Sequence, residues 1–126
     1  MIRSVTIIAA VLGLVGVALG AFGAHGLKSA VSPDMLDVWK TAVSYQMYHT
    51  PVILMLGLLP ALGGGKIRAL ASVCFIAGTL VFSGSLYALV ILNIPGLGMV
   101  TPFGGLLLLL GWLTLIVGFA TRAFES

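Results

Sequence analysis

Charge is scarce in this chain. Only 7% of its 126 residues are Asp, Glu, Lys or Arg, against about 25% in an average soluble domain. The three acids, Asp34, Asp37 and Glu125, fall near apolar-run ends or at the terminus, so no carboxylate is placed to orient a base beside a nucleophile. "FSGSLY" has G-x-S fragments without the full nucleophile elbow, and no enzymatic activity is expected. The single Cys74 rules out an intrachain disulfide and reads as a small core residue. Two histidines, with Cys74 expected near the opposite membrane face, fall short of the three or four ligands a zinc site needs. Neither a metal nor another cofactor is expected. The six cations are dispersed rather than gathered on a polar face, which excludes nucleic acid as a partner.

Apolar surface is abundant instead. Hydrophobic residues make up 60% of the chain and its mean hydropathy is +1.23. A water-soluble globule of this length cannot bury that much, so the solvent is a bilayer and membrane lipids are the first partners. Runs at about 4–23, 42–61, 69–92 and 103–121 approach or exceed the roughly 20 apolar residues a crossing helix needs. These predict an all-α integral membrane four-helix bundle, one domain over 1–126. Four crossings put both termini on one side with the second loop. That side carries Arg3, Lys66, Arg68 and Arg122, whereas Lys28 and Lys40 share the other with Asp34 and Asp37. The bias assigns both termini to the cytoplasm. Arg3 ahead of an apolar run ending "ALGAFGA" resembles a signal peptide, but cleavage would discard the most regular packing pattern in the chain.

That pattern is Ala9, Gly13, Gly16, Gly20 and Gly23, echoed by Gly104, Gly111 and Gly118. Small residues at a period near 3.5 form a stripe for close helix contact. The two stripes either pack antiparallel on each other, or one of them joins subunits of a homo-oligomer. "SPDMLDVWK" offers Ser32 as N-cap and Pro33 as the first helical residue. Met35, Val38, Trp39 and Ala42 share one face of that helix, opposite Asp34, Asp37, Lys40 and Thr41. The spacing predicts a short interfacial amphipathic helix before the second span, with Trp39 anchored among headgroups. "LGGGKIR" reads as a turn and fails the phosphate-loop spacing at Pro60 and Ile67. In "NIPGLGMVTPFGG", Thr101 and Pro102 read as the cap and first residue of the last helix.

The unusual stretch is "WKTAVSYQMYHTP". Tyr45, Gln46 and His49 fall on one helical face, and Pro51 releases the carbonyl of Met47, which predicts a bend. Unpaired polar groups in hydrocarbon cost several kcal/mol, so this face should look inward. Ser72, Thr79, Ser83 and Tyr87 share a face of the third span. Counting inward from 42 and from 92 sets His49 and Ser83 at one depth, ~10–14 Å below the outer surface. His25 closes the first span on that side. The residues His25, Tyr45, Gln46, His49, Ser83 and Tyr87 are therefore the candidate ligand-binding set, an outer-half polar pocket for a small molecule of unspecified identity or for a proton. The bland alternative is that these side chains merely bond one another, which is the preferred reading for Ser72, Thr79 and Ser85.

The blocks "GAFGAHGLK", "WKTAVSYQMYH", "FSGSLY", "TPFGG" and the "GW" at Gly111–Trp112 resemble, in content and order, the DUF423 (UPF0382) family of small bacterial inner-membrane proteins. The resemblance implies a four-span protein of the bacterial inner (plasma) membrane with no characterised function, weighs against cleavage of the first span, and brings no catalytic residues with it. Binding or passage of a small ligand or proton is the leading functional expectation. The alternative is a structural or assembly partner, or a lipid-binding module, that works through its glycine stripes.

Overall fold

A computed structural model describes residues 2–58 and 65–121. The first three residues of "LGGGKIR", the end of the second apolar run, Arg122 and Glu125 lie outside the described residues, and the rest of that stretch, Gly65–Arg68, is helical rather than a turn. The chain is all-helical, with α1 over Ile2–Ala24, α2 over Pro33–Leu58, α3 over Gly65–Leu92 and α4 over Thr101–Ala120. A short 3₁₀ turn at Leu27–Ser29 joins α1 to α2, and another at Pro95–Met99 joins α3 to α4. Three helices among the described residues are long and apolar enough to cross a membrane: α1, α3, and α4 taken with its leading turn. The fourth, α2, is diluted by polar residues, Gln46 and His49 among them.

The helix boundaries come from local chemistry. The Ser32 hydroxyl accepts the Met35 amide at 3.2 Å, the N-cap bond that satisfies one of the orphan donors of a helix start. α3 ends at Asn93, whose positive φ of 54° closes the last turn, and Pro95 prevents continuation. At the other corner, Arg68 donates from Nε to the Leu56 carbonyl at 2.6 Å and from Nη2 to Gly57 at 3.4 Å. A cation there meets the exposed carbonyls and the negative end of α2.

Three expectations change. No separate interfacial helix exists: the segment from Pro33 is the first turns of α2, which runs unbroken through Pro51. Trp39 is buried rather than set among headgroups, and its indole N–H donates to the Leu19 carbonyl of α1 at 2.9 Å. Thr101 does not cap α4; its hydroxyl pairs with Ser85 on α3 at 2.6 Å.

Each helix packs antiparallel against the next in sequence. The α1 stripe lies on α2: a Cβ added at Gly13, Gly16, Gly20 or Gly23 would meet Thr50, Met47, Val43 or Trp39 respectively. Near the far end of the pair, Gly57 abuts Thr6. The α4 stripe lies on α3, with Gly104 against the Phe82 backbone and Gly111 against the Phe75 ring. The stripes therefore do not pair with each other, because each is taken by its neighbour in the chain. Small residues matter in this setting because lipid supplies no hydrophobic drive between helices, so close backbone approach has to supply it. Val5, Ala9, Leu12, Ile53, Leu56, Ala71, Phe75 and Leu108 form the main core, with a second cluster around Leu27, Trp39 and Val90.

Candidate functional site

Two grooves flank the central α2–α3 pair, and the candidate residues are divided between them. One groove, between α1 and α3, has a volume of about 170 Å³ and is lined by Leu12, Gln46, Thr79, Ser83 and Tyr87 among others. The other, between α2 and α4, measures about 520 Å³ and is lined by Tyr45, His49, Phe82, Gly105, Leu109 and Trp112 among others. His25 sits exposed just past the end of α1 and lines neither groove.

The smaller groove is a wall of mutual hydrogen bonds. Gln46 donates from Nε2 to the Leu12 carbonyl at 2.7 Å, and its Oε1 accepts the Tyr87 hydroxyl at 2.6 Å. Ser83 donates to the Ala42 carbonyl at 2.7 Å. These bonds tie α1, α2 and α3 together, each replacing an unpaired group that hydrocarbon would penalise. Thr79 Oγ1 is buried without a partner. Ser72 and Ser85 return their hydroxyls to carbonyls of their own helix, Arg68 and Phe82 respectively.

The bond from Ser83 to Ala42 also fixes depth. His49 packs on Phe75, with ring centroids 5.7 Å apart, so its level on α3 is about two turns from Ser83, or ~10 Å. The two residues do not share a height. The continuity of α2 is the reason, since its outer end is Pro33 rather than residue 42. His49 lies ~15 Å below Trp39 at 1.5 Å per residue, near the middle of the helices.

In the larger groove the hydrogen bonds determine the state of His49. The Trp112 indole N–H can only donate, and it reaches His49 Nε2 at 3.0 Å. Nε2 is therefore the bare nitrogen. The ring proton is on Nδ1, 2.7 Å from the Tyr45 carbonyl, which can only accept. His49 is a neutral imidazole whose tautomer is set by its two partners. Around it, Tyr45 stacks on Phe82 at 4.5 Å, and Trp112 meets Phe75 edge-on at 5.1 Å. His49 is buried, whereas Tyr45 and Trp112 are 40% and 41% exposed and form the rim.

Sequence reasoning found Tyr45 and His49 but not Trp112, Phe82 or the leucines of α4. A usable signal existed: a tryptophan in mid-span carries an N–H that needs an acceptor, and His49 offers a bare ring nitrogen at matching depth.

This is the architecture of a polytopic helical membrane protein, and the comparisons with known proteins agree. The profile described as "Protein of unknown function (DUF423)" matches residues 19–105. A UPF0382 membrane protein of Staphylococcus aureus is 41% identical over 88% of this chain and 90% of its own length. YwdK, a UPF0382 membrane protein of Bacillus subtilis, is 39% identical over 88% of this chain and 91% of its own. One from Staphylococcus epidermidis is 38% identical over 95% and 96%. No solved structure matches. The chain belongs to the DUF423/UPF0382 family of membrane proteins.

Proposed function

We propose that this is a non-enzymatic membrane protein of four crossing helices, a single domain, that binds a lipophilic small molecule in the groove between α2 and α4. The observation that carries the reading is the groove itself: about 520 Å³ of space beside His49, walled by leucines and rings. Ligand sites have this size and this mostly apolar lining with few polar groups. Support for the fourth crossing comes from the α1–α2 contact. It runs from Thr6 against Gly57 to Gly23 against Trp39, ~26 Å at 1.5 Å per residue, so α2 traverses nearly the thickness that α1 does. Arg3, Lys66 and Arg68 at one end of the helices favour a cytoplasmic placement of both termini.

Binding is better supported than proton passage. Both nitrogens of His49 are engaged, and the Gln46–Tyr87 pair lines the other groove, which does not favour a polar chain between the two. The scaffold alternative loses its motive, because both glycine stripes are covered within the chain. The test is a filled groove. A Cβ at Gly105 would stand 3.7 Å from the Phe82 ring, an ordinary contact, so Gly105→Leu occupies the groove without prying α3 from α4. Native mass spectrometry of the extracted protein should find a lipophile retained by wild type and lost from Gly105→Leu. Equal retention by both would sink the reading. The same spectra report the oligomeric state.

A further inference from the structure

Besides the Tyr45 side chain at its rim, the α2–α4 groove has one polar pair on its wall, the acceptor His49 Nε2 and the donor Trp112 Nε1, 3.0 Å apart. We infer that its occupant is an uncharged lipophile bearing a hydroxyl, whose oxygen inserts between His49 Nε2 and Trp112 Nε1. This inference rests on the groove being a ligand site.

Donor and acceptor chemistry selects the group. A hydroxyl gives its proton to Nε2 and takes the indole N–H on the same oxygen, exchanging one direct bond for two. A ketone, ether, ester or carboxylate only accepts. It would satisfy Trp112 and leave Nε2 bare against another lone pair, a buried unsatisfied acceptor. A water molecule has the right polarity, but the rest of the lining gives it few of the polar partners that hold buried water.

Charge and depth narrow the class further. No Lys, Arg, Asp or Glu lines the groove, so an ionised head would be buried without a counter-ion. His49 lies near mid-helix, against Phe75 of α3 and Trp112 of α4. A phospholipid headgroup at the interface sits ~15 Å away, half the hydrocarbon thickness. A molecule that presents its polar atom here must bring it into the hydrocarbon; for a long-chain or isoprenoid alcohol that desolvates a single neutral hydroxyl, which the pair then satisfies.

The pair is also built to open on one side. His49 is buried, with Nδ1–H fixed on its own helix, whereas the Trp112 side chain stands at the exposed rim of α4. A rotamer change at Trp112 admits the oxygen without moving a helix. Without ligand the two residues close on each other and neither is left unpaired.

The experiment compares hexadecan-1-ol with its methyl ether, 1-methoxyhexadecane, titrated into the full-length protein in nanodiscs. Indole ¹H–¹⁵N NMR reports Trp112 and Trp39 separately. The alcohol should bind about tenfold tighter than the ether, the factor for one further buried hydrogen bond, and should shift the Trp112 resonance but not that of Trp39. In His49→Phe, where alcohol and ether alike can only accept the Trp112 N–H, the alcohol's advantage should fall below about threefold. Equal affinity of alcohol and ether for wild type, with both lost from Gly105→Leu, overturns the hydroxyl and keeps the groove. Binding of both that survives Gly105→Leu overturns the groove reading itself. The wild-type comparison decides the matter even if His49→Phe does not fold.

Discussion

Adjacent glycines on α4 make opposite predictions, and the contrast tests the packing directly. A Cβ at Gly104 would stand 2.7 Å from Phe82 Cα, and closer still to the Phe82 amide nitrogen. Backbone atoms cannot swing aside, so α3 and α4 must part by ~1 Å to restore the usual 3.5–4.0 Å separation. At that gap each contact across the interface forfeits roughly a quarter to a half of its ~0.1–0.2 kcal/mol. Over on the order of 40 atom pairs this amounts to about 2 kcal/mol. Gly105, one residue on, has room for the methyl group. Both substitutions gain the same helix propensity, up to about 1 kcal/mol, which cancels in their difference. Gly104→Ala should therefore be less stable than Gly105→Ala by about 2 kcal/mol. Reversible unfolding in mixed micelles, followed by circular dichroism, measures that difference. Indistinguishable variants would mean that α4 does not seat on α3 through Gly104, and the register of the α3–α4 pair would be wrong.

The remaining predictions concern single bonds. Tyr87→Phe leaves Gln46 Oε1 unpaired and should cost ~0.6 kcal/mol, with ~1.7 as the ceiling for such bonds in membranes; a double-mutant cycle with Gln46→Leu isolates the coupling. Ser32→Ala removes the cap on the Met35 amide and should cost about 1 kcal/mol, seen as faster hydrogen exchange in the first turn of α2 and nowhere else. Arg68→Met uncovers the Leu56 and Gly57 carbonyls and should cost about 1 kcal/mol after allowance for its partial exposure. A melt in which Arg68→Lys restores no stability would show that the forked guanidinium geometry matters more than the charge.

Much of the fold was legible because bilayers impose few solutions. Apolar run length located α1, α3 and α4 to within a few residues at each end, and Ser32 marked the start of α2 through a purely local rule. The glycine periods located contact faces but not their partners, since a stripe of small residues fits any other helix surface. Proximity in the chain decided that α1 took α2 and α4 took α3. Depth failed for a similar reason: counting from residue 42 assumed a break that the continuous helix lacks, which misplaced His49 relative to Ser83 by about two turns. Trp39 was misread because its apolar neighbours suit a headgroup anchor as well as they suit an α1 contact. Only the indole N–H, which needs the Leu19 carbonyl, separates the two.

The least apolar helix sits at the centre, and that placement bears on function. Since lipid gives helices no hydrophobic reason to associate, the helix richest in polar groups binds the most neighbours. α2 reaches α1 through Trp39 and Gln46, and is joined to α3 at Gln46 by Tyr87 and at Ala42 by Ser83. Those bonds lie within closely packed pairs, where a foreign molecule would have to separate backbones to compete. The bond from α2 to α4 differs. It joins helices whose main packing is elsewhere, α4 resting on α3, and it lies on the wall of the larger groove. Of these side-chain bonds, His49 with Trp112 is thus the one a ligand can replace without unmaking the bundle, and the buried one of the chain's two imidazoles stands there.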